Sequence, residues 1–117
     1  MSPEPTSPAQ QIRVYETEGR TVVQLRGAID LAVVLPATAR LDAATARPNL
    51  DVVVDLGPVT FLDCSGLGLL CRTRRRVEER GGHLTLVCPH PTIRRLIHIV
   101  GLDRAFTLTT TPAEAPD

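Results

Sequence analysis

The stretch Asp51-Val52-Val53-Val54-Asp55-Leu56, continued by Val59-Thr60-Phe61-Leu62-Asp63-Cys64-Ser65-Gly66-Leu67-Gly68 and closed by Gly81-Gly82-His83-Leu84-Thr85-Leu86-Val87-Cys88, decides the fold. Its first run is β-branched and apolar on successive residues, the pattern of a central strand covered on both faces. From Ser65 to Arg80 the spacing turns helical: Gly66, Leu67, Leu70, Cys71 and Val77 share one side, and Arg72, Arg75, Arg76 and Glu79 the other. Gly81-Gly82 supplies the left-handed stop, and a second β run, His83 to Cys88, begins at once. Strand, helix and strand in this order predict a βαβ unit with parallel strands. Residues 59–68 read as the turn that carries the chain from the central strand into the helix.

Upstream, Ile12 to Glu16 and Thr21 to Arg26 partly alternate apolar and polar around Thr17-Glu18-Gly19-Arg20, which predicts a β-hairpin. Asp30 can cap a helical segment reaching about Ala46, with Val34, Ala37, Leu41 and Ala44 as its apolar stripe. Proline is comfortable only in a helix's first turn, so Pro36 predicts a regular helix starting near residues 34–36, with irregular backbone from Leu31. Downstream, Pro91 suits a first helical position, Ile93, Leu96, Ile97 and Val100 follow at helical spacing, and Gly101 ends that helix. Ala105 to Leu108 reads as a short last strand. Residues 1–11 and 112–117 are rich in Pro, Ala, Ser and acidic groups without periodic apolar positions, so they are expected to be flexible tails around one domain at 12–111. The fold class expected is α/β: a mixed sheet of four to five strands, opened by an N-terminal hairpin, with helices packed mainly on one face.

A chain of 117 residues has room for one real core, and with aromatics at 3% and no Trp that core must be aliphatic. Thirteen basic against thirteen acidic side chains leave no net charge to steer it toward nucleic acid or an anionic membrane. No apolar run approaches the ~20 residues of a membrane span, and Met1 to Gln11 lacks a signal pattern, so a cytoplasmic protein is expected. Cys64, Cys71 and Cys88 are odd in number and lack C-x-x-C spacing, which argues for reduced thiols over disulfides or zinc. His83, His90 and His98 share no metal-ligand spacing, and no cofactor or metal is called for.

The junction at Asp63-Cys64-Ser65-Gly66 places short polar side chains where backbone N–H groups and the positive helix end converge. A phosphate there would add nearly two negative charges beside Asp63 and alter any docked partner. Asp63 is either a partner contact or the helix N-cap, and Asp30 carries the same two readings. The run Arg72 to Arg76 has Glu78 and Glu79 at i+4 from Arg74 and Arg75, the pattern of a solvated helix face rather than a nucleic-acid patch. Gly66 and Gly68 lack the Lys-Ser/Thr of a P-loop and the third glycine of a dinucleotide fingerprint, and read as packing positions near the sheet. Cys71 and Cys88 read as core residues.

Phe61-Leu62-Asp63-Cys64-Ser65-Gly66-Leu67-Gly68-Leu69-Leu70 resembles the central motif of the STAS domain of bacterial anti-sigma factor antagonists. Gly27-Ala28-Ile29-Asp30, Gly81-Gly82, and Pro91-Thr92-Ile93-Arg94-Arg95-Leu96 through Gly101-Leu102 resemble further family blocks in the same order, over about residues 12 to 108. The resemblance implies a binding module rather than an enzyme, with no catalytic residues. Such a module docks a kinase-type anti-sigma factor and so frees a sigma factor for transcription. It places Asp30, Asp63, Cys64, Ser65 and Gly66 on the docking surface. The family's phospho-acceptor directly follows the motif Asp, and here that position is Cys64, which a Ser/Thr kinase is not expected to phosphorylate. Ser65 is the neighbouring alternative acceptor. Cys64 is then expected to mimic an unphosphorylated serine and keep the domain competent to dock. A second reading makes Cys64 a redox sensor, since helix N-termini favour thiolates. The fold also recurs in subunits of transporter and lipid-trafficking complexes, a further alternative. Both a monomer and a weak homodimer fit the chain.

Overall fold

The computed structural model describes residues 11–104 and 106–110. The expected tails lie outside these residues except for Gln11, which is buried and belongs to the domain: its side-chain amide donates to the Arg26 and Ala28 carbonyls at 2.9 Å each. In chain order the elements are β1 (Ile12–Thr17), β2 (Arg20–Leu25), β3 (Gly27–Ile29), α1 (Leu31–Ala44), β4 (Asp51–Asp55), β5 (Val59–Leu62), α2 (Cys64–Glu79), β6 (His83–Val87), α3 (Pro91–Ile99), a 3₁₀ turn (Leu102–Arg104) and β7 (Thr107–Thr109).

The main sheet has five strands in the order β1-β2-β4-β6-β7. β1 and β2 form the expected antiparallel hairpin, and every other neighbour is parallel. β4 sits at the centre because Val52, Val53 and Val54 are all buried. Val52, Val54 and Leu56 join Val23, Leu25, Leu84 and Leu86 in one aliphatic core with Val33, Ala37 and Leu41 of α1, Leu67, Leu70 and Val77 of α2, and Ile93 and Ile97 of α3. All three helices therefore feed the same core. Val53 points the other way and packs with Val22 and Val87 in a small cluster on the reverse face.

Two departures from expectation shape the site. Residues 59–62 are not turn but strand: β5 pairs in parallel with β3 as a separate two-stranded sheet. Also, α1 starts at Leu31, ahead of Pro36. The Val33 amide donates to Asp30 Oδ1 at 3.3 Å and the Val34 amide to the Asp30 carbonyl at 2.9 Å, so the helix is nucleated before proline is reached. Proline then removes one bond, to the carbonyl of Ala32, a residue exposed to water that can supply a donor instead. The buried stripe is Val33, Ala37 and Leu41, shifted one residue from the expected Val34 start; Val34 is half-buried.

α2 and α3 follow their patterns closely. Gly81 has φ +79°, and a side chain there would meet Asn49, so the α2 stop is a glycine for conformational and steric reasons together. In α3, Ile93 and Ile97 are buried, whereas Val100 is 46% exposed rather than part of the stripe. Cys88 is buried, and burial pushes its thiol pKa up. Cys71 is only half-buried. Of the expected last strand, Ala105 to Leu108, Ala105 lies outside the described residues, and the strand observed is Thr107–Thr109.

Candidate docking site

The β3–β5 ladder builds the site. Ile29 pairs with Leu62, and the Asp63 amide donates to the Ile29 carbonyl at 3.4 Å. The residues that follow, Asp30 and Asp63, therefore stand side by side, and each is the N-cap of a helix. The N-termini of α1 and α2 consequently open on one edge of the domain. Capping and surface placement, which the residues alone left as alternatives, coexist in both aspartates: each is half-exposed while its side chain caps.

Asp63 Oδ1 accepts from the Gly66 amide at 3.0 Å and from the Ser65 hydroxyl at 2.5 Å. The Ser65 hydroxyl, with the Gly66 amide behind it, holds the Asp63 carboxyl below its ordinary range. Cys64, the first residue of α2, is exposed, with Ser65 half-exposed beside it. Gly66 is different. It is buried, so it offers no surface to a partner; a Cβ would lie 2.4 Å from Leu62 Cδ1 and 3.1 Å from the Ile29 carbonyl. Its part is to let α2 approach the ladder. Gly68, read from sequence as a second packing glycine, has nothing within 4 Å of its Cβ position and is exposed.

Around this junction lie apolar side chains that periodicity did not mark as exposed: Leu31 at 60%, Leu35 at 71% and Phe61 at 54%. Their signal was residue type alone; exposure depended on where α1 began and on β5 being a strand. A groove of about 670 Å³ runs between β5 and α3, lined by Phe61, Leu62, Pro91, Ile93 and Leu96. His90 pins its end, its Nε2–H donating to the Gly57 carbonyl at 2.6 Å.

The remaining candidates are structural. Arg72 and Arg76 both reach Asp42 of α1, at 2.9 and 3.1 Å, and Arg74 pairs with Glu78. The basic run thus ties α2 to α1 and to itself. His98 bonds Asp103 at 2.7 Å. Among the described residues no group of three or more His, Cys, Asp or Glu side chains could hold a metal, and no helix is long and apolar enough to cross a membrane.

A mixed parallel sheet with an antiparallel lead-in, a satellite β3–β5 ladder and two capped helix starts meeting at one exposed edge defines the STAS-like class of α/β domain. Residues 11–115 match the STAS domain family model, and the chain belongs to that family. It is 30% identical to the anti-sigma F factor antagonist of Lysinibacillus sphaericus over 74% of each chain. It is 29% identical to the anti-sigma-F factor antagonist RsfB of Mycobacterium tuberculosis, over 89% of this chain and 84% of RsfB. The crystal structure of an anti-sigma factor antagonist from Mycobacterium paratuberculosis superposes with a TM-score of 0.75 at 31% identity, covering 89% of this chain and 88% of that one.

Proposed function

We propose that this protein is a cytoplasmic anti-sigma factor antagonist that docks a kinase-type anti-sigma factor and thereby releases a sigma factor to regulate transcription. The docking surface comprises Asp30, Asp63, Cys64 and Ser65, with Gly66 as its packing support. The observation that carries this reading is the exposed Cys64 at the start of α2, beside two capping aspartates that the β3–β5 ladder holds together. The relatives' names supply the kind of partner. The domain acts by binding and needs no cofactor of its own.

Cys64 takes the place of the family's phospho-acceptor. A thiol matches an unphosphorylated serine closely in size, so the surface stays in its docking-competent form. Ser65 stays the neighbouring alternative acceptor, its hydroxyl donating to Asp63 Oδ1. A redox role is weakened by the other thiols: Cys88 is buried, and Cys71 lies about two helical turns from Cys64, roughly 10 Å along the axis and beyond disulfide reach.

The test is affinity capture with the full chain, then incubation of the recovered kinase with ATP. An ATP-binding anti-sigma factor is expected in the capture, with no phosphate on the native chain. Cys64→Ser is expected to gain about one phosphate per chain and then to lose docking. Stoichiometric phosphate on Ser65 of the native chain that abolished docking would show that the switch had moved by one residue. Capture of membrane transport proteins in place of an anti-sigma factor would overturn the reading.

A further inference from the structure

We infer that Leu31 and Leu35, in the opening turns of α1, form the apolar half of the docking surface, and that the partner seats there a face in which basic side chains flank aliphatic ones. This rests on the antagonist reading of the same site and adds the chemistry of what that site accepts. Leu31 and Leu35 are i and i+4 on α1, so they lie one turn apart on one side. The buried stripe begins at Val33, two residues and about 200° of rotation away, which turns the two leucines from the core. At 60% and 71% exposed, they are among six large apolar side chains left exposed in the described residues. Phe61, another of the six, lies two residues before Asp63.

Charge says what covers them. Leu31 directly follows Asp30, and Asp30 stands beside Asp63. Neither carboxylate has an ion pair among the described residues; their bonds are to the Val33 and Gly66 amides and the Ser65 hydroxyl. The helix ends offset about half a charge each, less than a full carboxylate. A wholly apolar partner face would strip water from both carboxylates without pairing them, and an acidic face would repel them. A face carrying both cations and aliphatic side chains pairs the two carboxylates and covers the two leucines together.

The first measurement uses the anti-sigma factor recovered by the capture above, titrated calorimetrically against the full chain. Leu31→Ser/Leu35→Ser changes only exposed positions and is expected to weaken binding by about 30-fold or more, as loss of buried anchors at an interface does. Ile99→Ser/Val100→Ser, an exposed apolar pair at the far end of α3, is expected to bind within about two-fold of the native chain. Native affinity in the Leu31/Leu35 variant overturns the inference and leaves the antagonist reading standing. The second measurement needs no anti-sigma factor. Leu31 and Leu35 methyl resonances are followed while the full chain is titrated with two designed helical peptides that share a leucine face, one flanked by arginines and one by glutamates. The arginine peptide is expected to shift both methyls and the amides of residues 63–66, with the glutamate peptide at least ten-fold weaker. Equal responses to the two peptides, or shifts confined to Ile93 and Leu96 in the β5–α3 groove, overturn it.

Discussion

Gly66 and Gly68 look alike in the sequence and differ in what surrounds them. Gly66→Ala would force a Cβ to 2.4 Å from Leu62 Cδ1 and 3.1 Å from backbone, so a loss of about 1–3 kcal/mol is expected in urea unfolding. Gly68→Ala meets open space within a helix, and a gain of roughly 0.5–1 kcal/mol is expected from helix propensity. Opposite signs two residues apart would establish that only the first glycine is a contact point. Asp63 makes a pH prediction. Its folded-state pKa is lowered, chiefly by the Ser65 hydroxyl, so its charge contributes stability above the ordinary carboxylate range and loses it as pH falls through the depressed value. Asp63→Asn keeps a capping oxygen without the charge, so the gap in urea midpoint between native and variant should hold constant from pH 7 to about pH 5 and narrow only below that, as pH passes through the ordinary carboxylate range toward the depressed value; a gap that stays constant through that acid range would contradict it. Asp30 and Asp63 were both legible as candidates. Their adjacency was not, because it arises from a ladder joining residues thirty-three apart in the chain.

At the scale of elements, α1 shows a local rule overruled. Pro36 argues for a late start, but the Asp30 cap and the burial of Val33, Ala37 and Leu41 outweigh one lost hydrogen bond. Pro36→Ala is therefore expected to stabilise the domain, by roughly 1–3 kcal/mol in the urea midpoint, since it restores that bond and removes the ring's clash with the preceding turn. No change would mean that α1 is distorted around the proline in a way that alanine also requires. α2 was readable end to end, because its apolar stripe, its cap and its glycine stop agree. β3 and β5 were not, being three and four residues long and buried on only part of their length. Val59-Thr60-Phe61-Leu62 carries β-type residues, yet its position just after Gly57-Pro58 reads equally as a turn.

Across the whole molecule, stability should grade from the centre of the main sheet outward. β4 has neighbours on both sides and three consecutive buried valines, while β7 is a three-residue edge strand of half-buried residues. In native-state hydrogen exchange, amides of Val52 to Val54 are expected to report the global unfolding energy and those of Thr107 to Thr109 to exchange through smaller openings. Equal protection in both would mean that the C-terminal strand unfolds only with the core.

The amino-acid order by itself determined the α/β class, the N-terminal hairpin, the parallel βαβ centre and the polar junction at Asp63, since each follows from residue type and periodicity over a short window. Tertiary structure decided which helix start prevailed, that β3 and β5 pair, and therefore that two distant aspartates and two exposed leucines share one edge. The reason is that burial and ladder pairing are properties of surfaces brought together by folding, and no local window contains both surfaces.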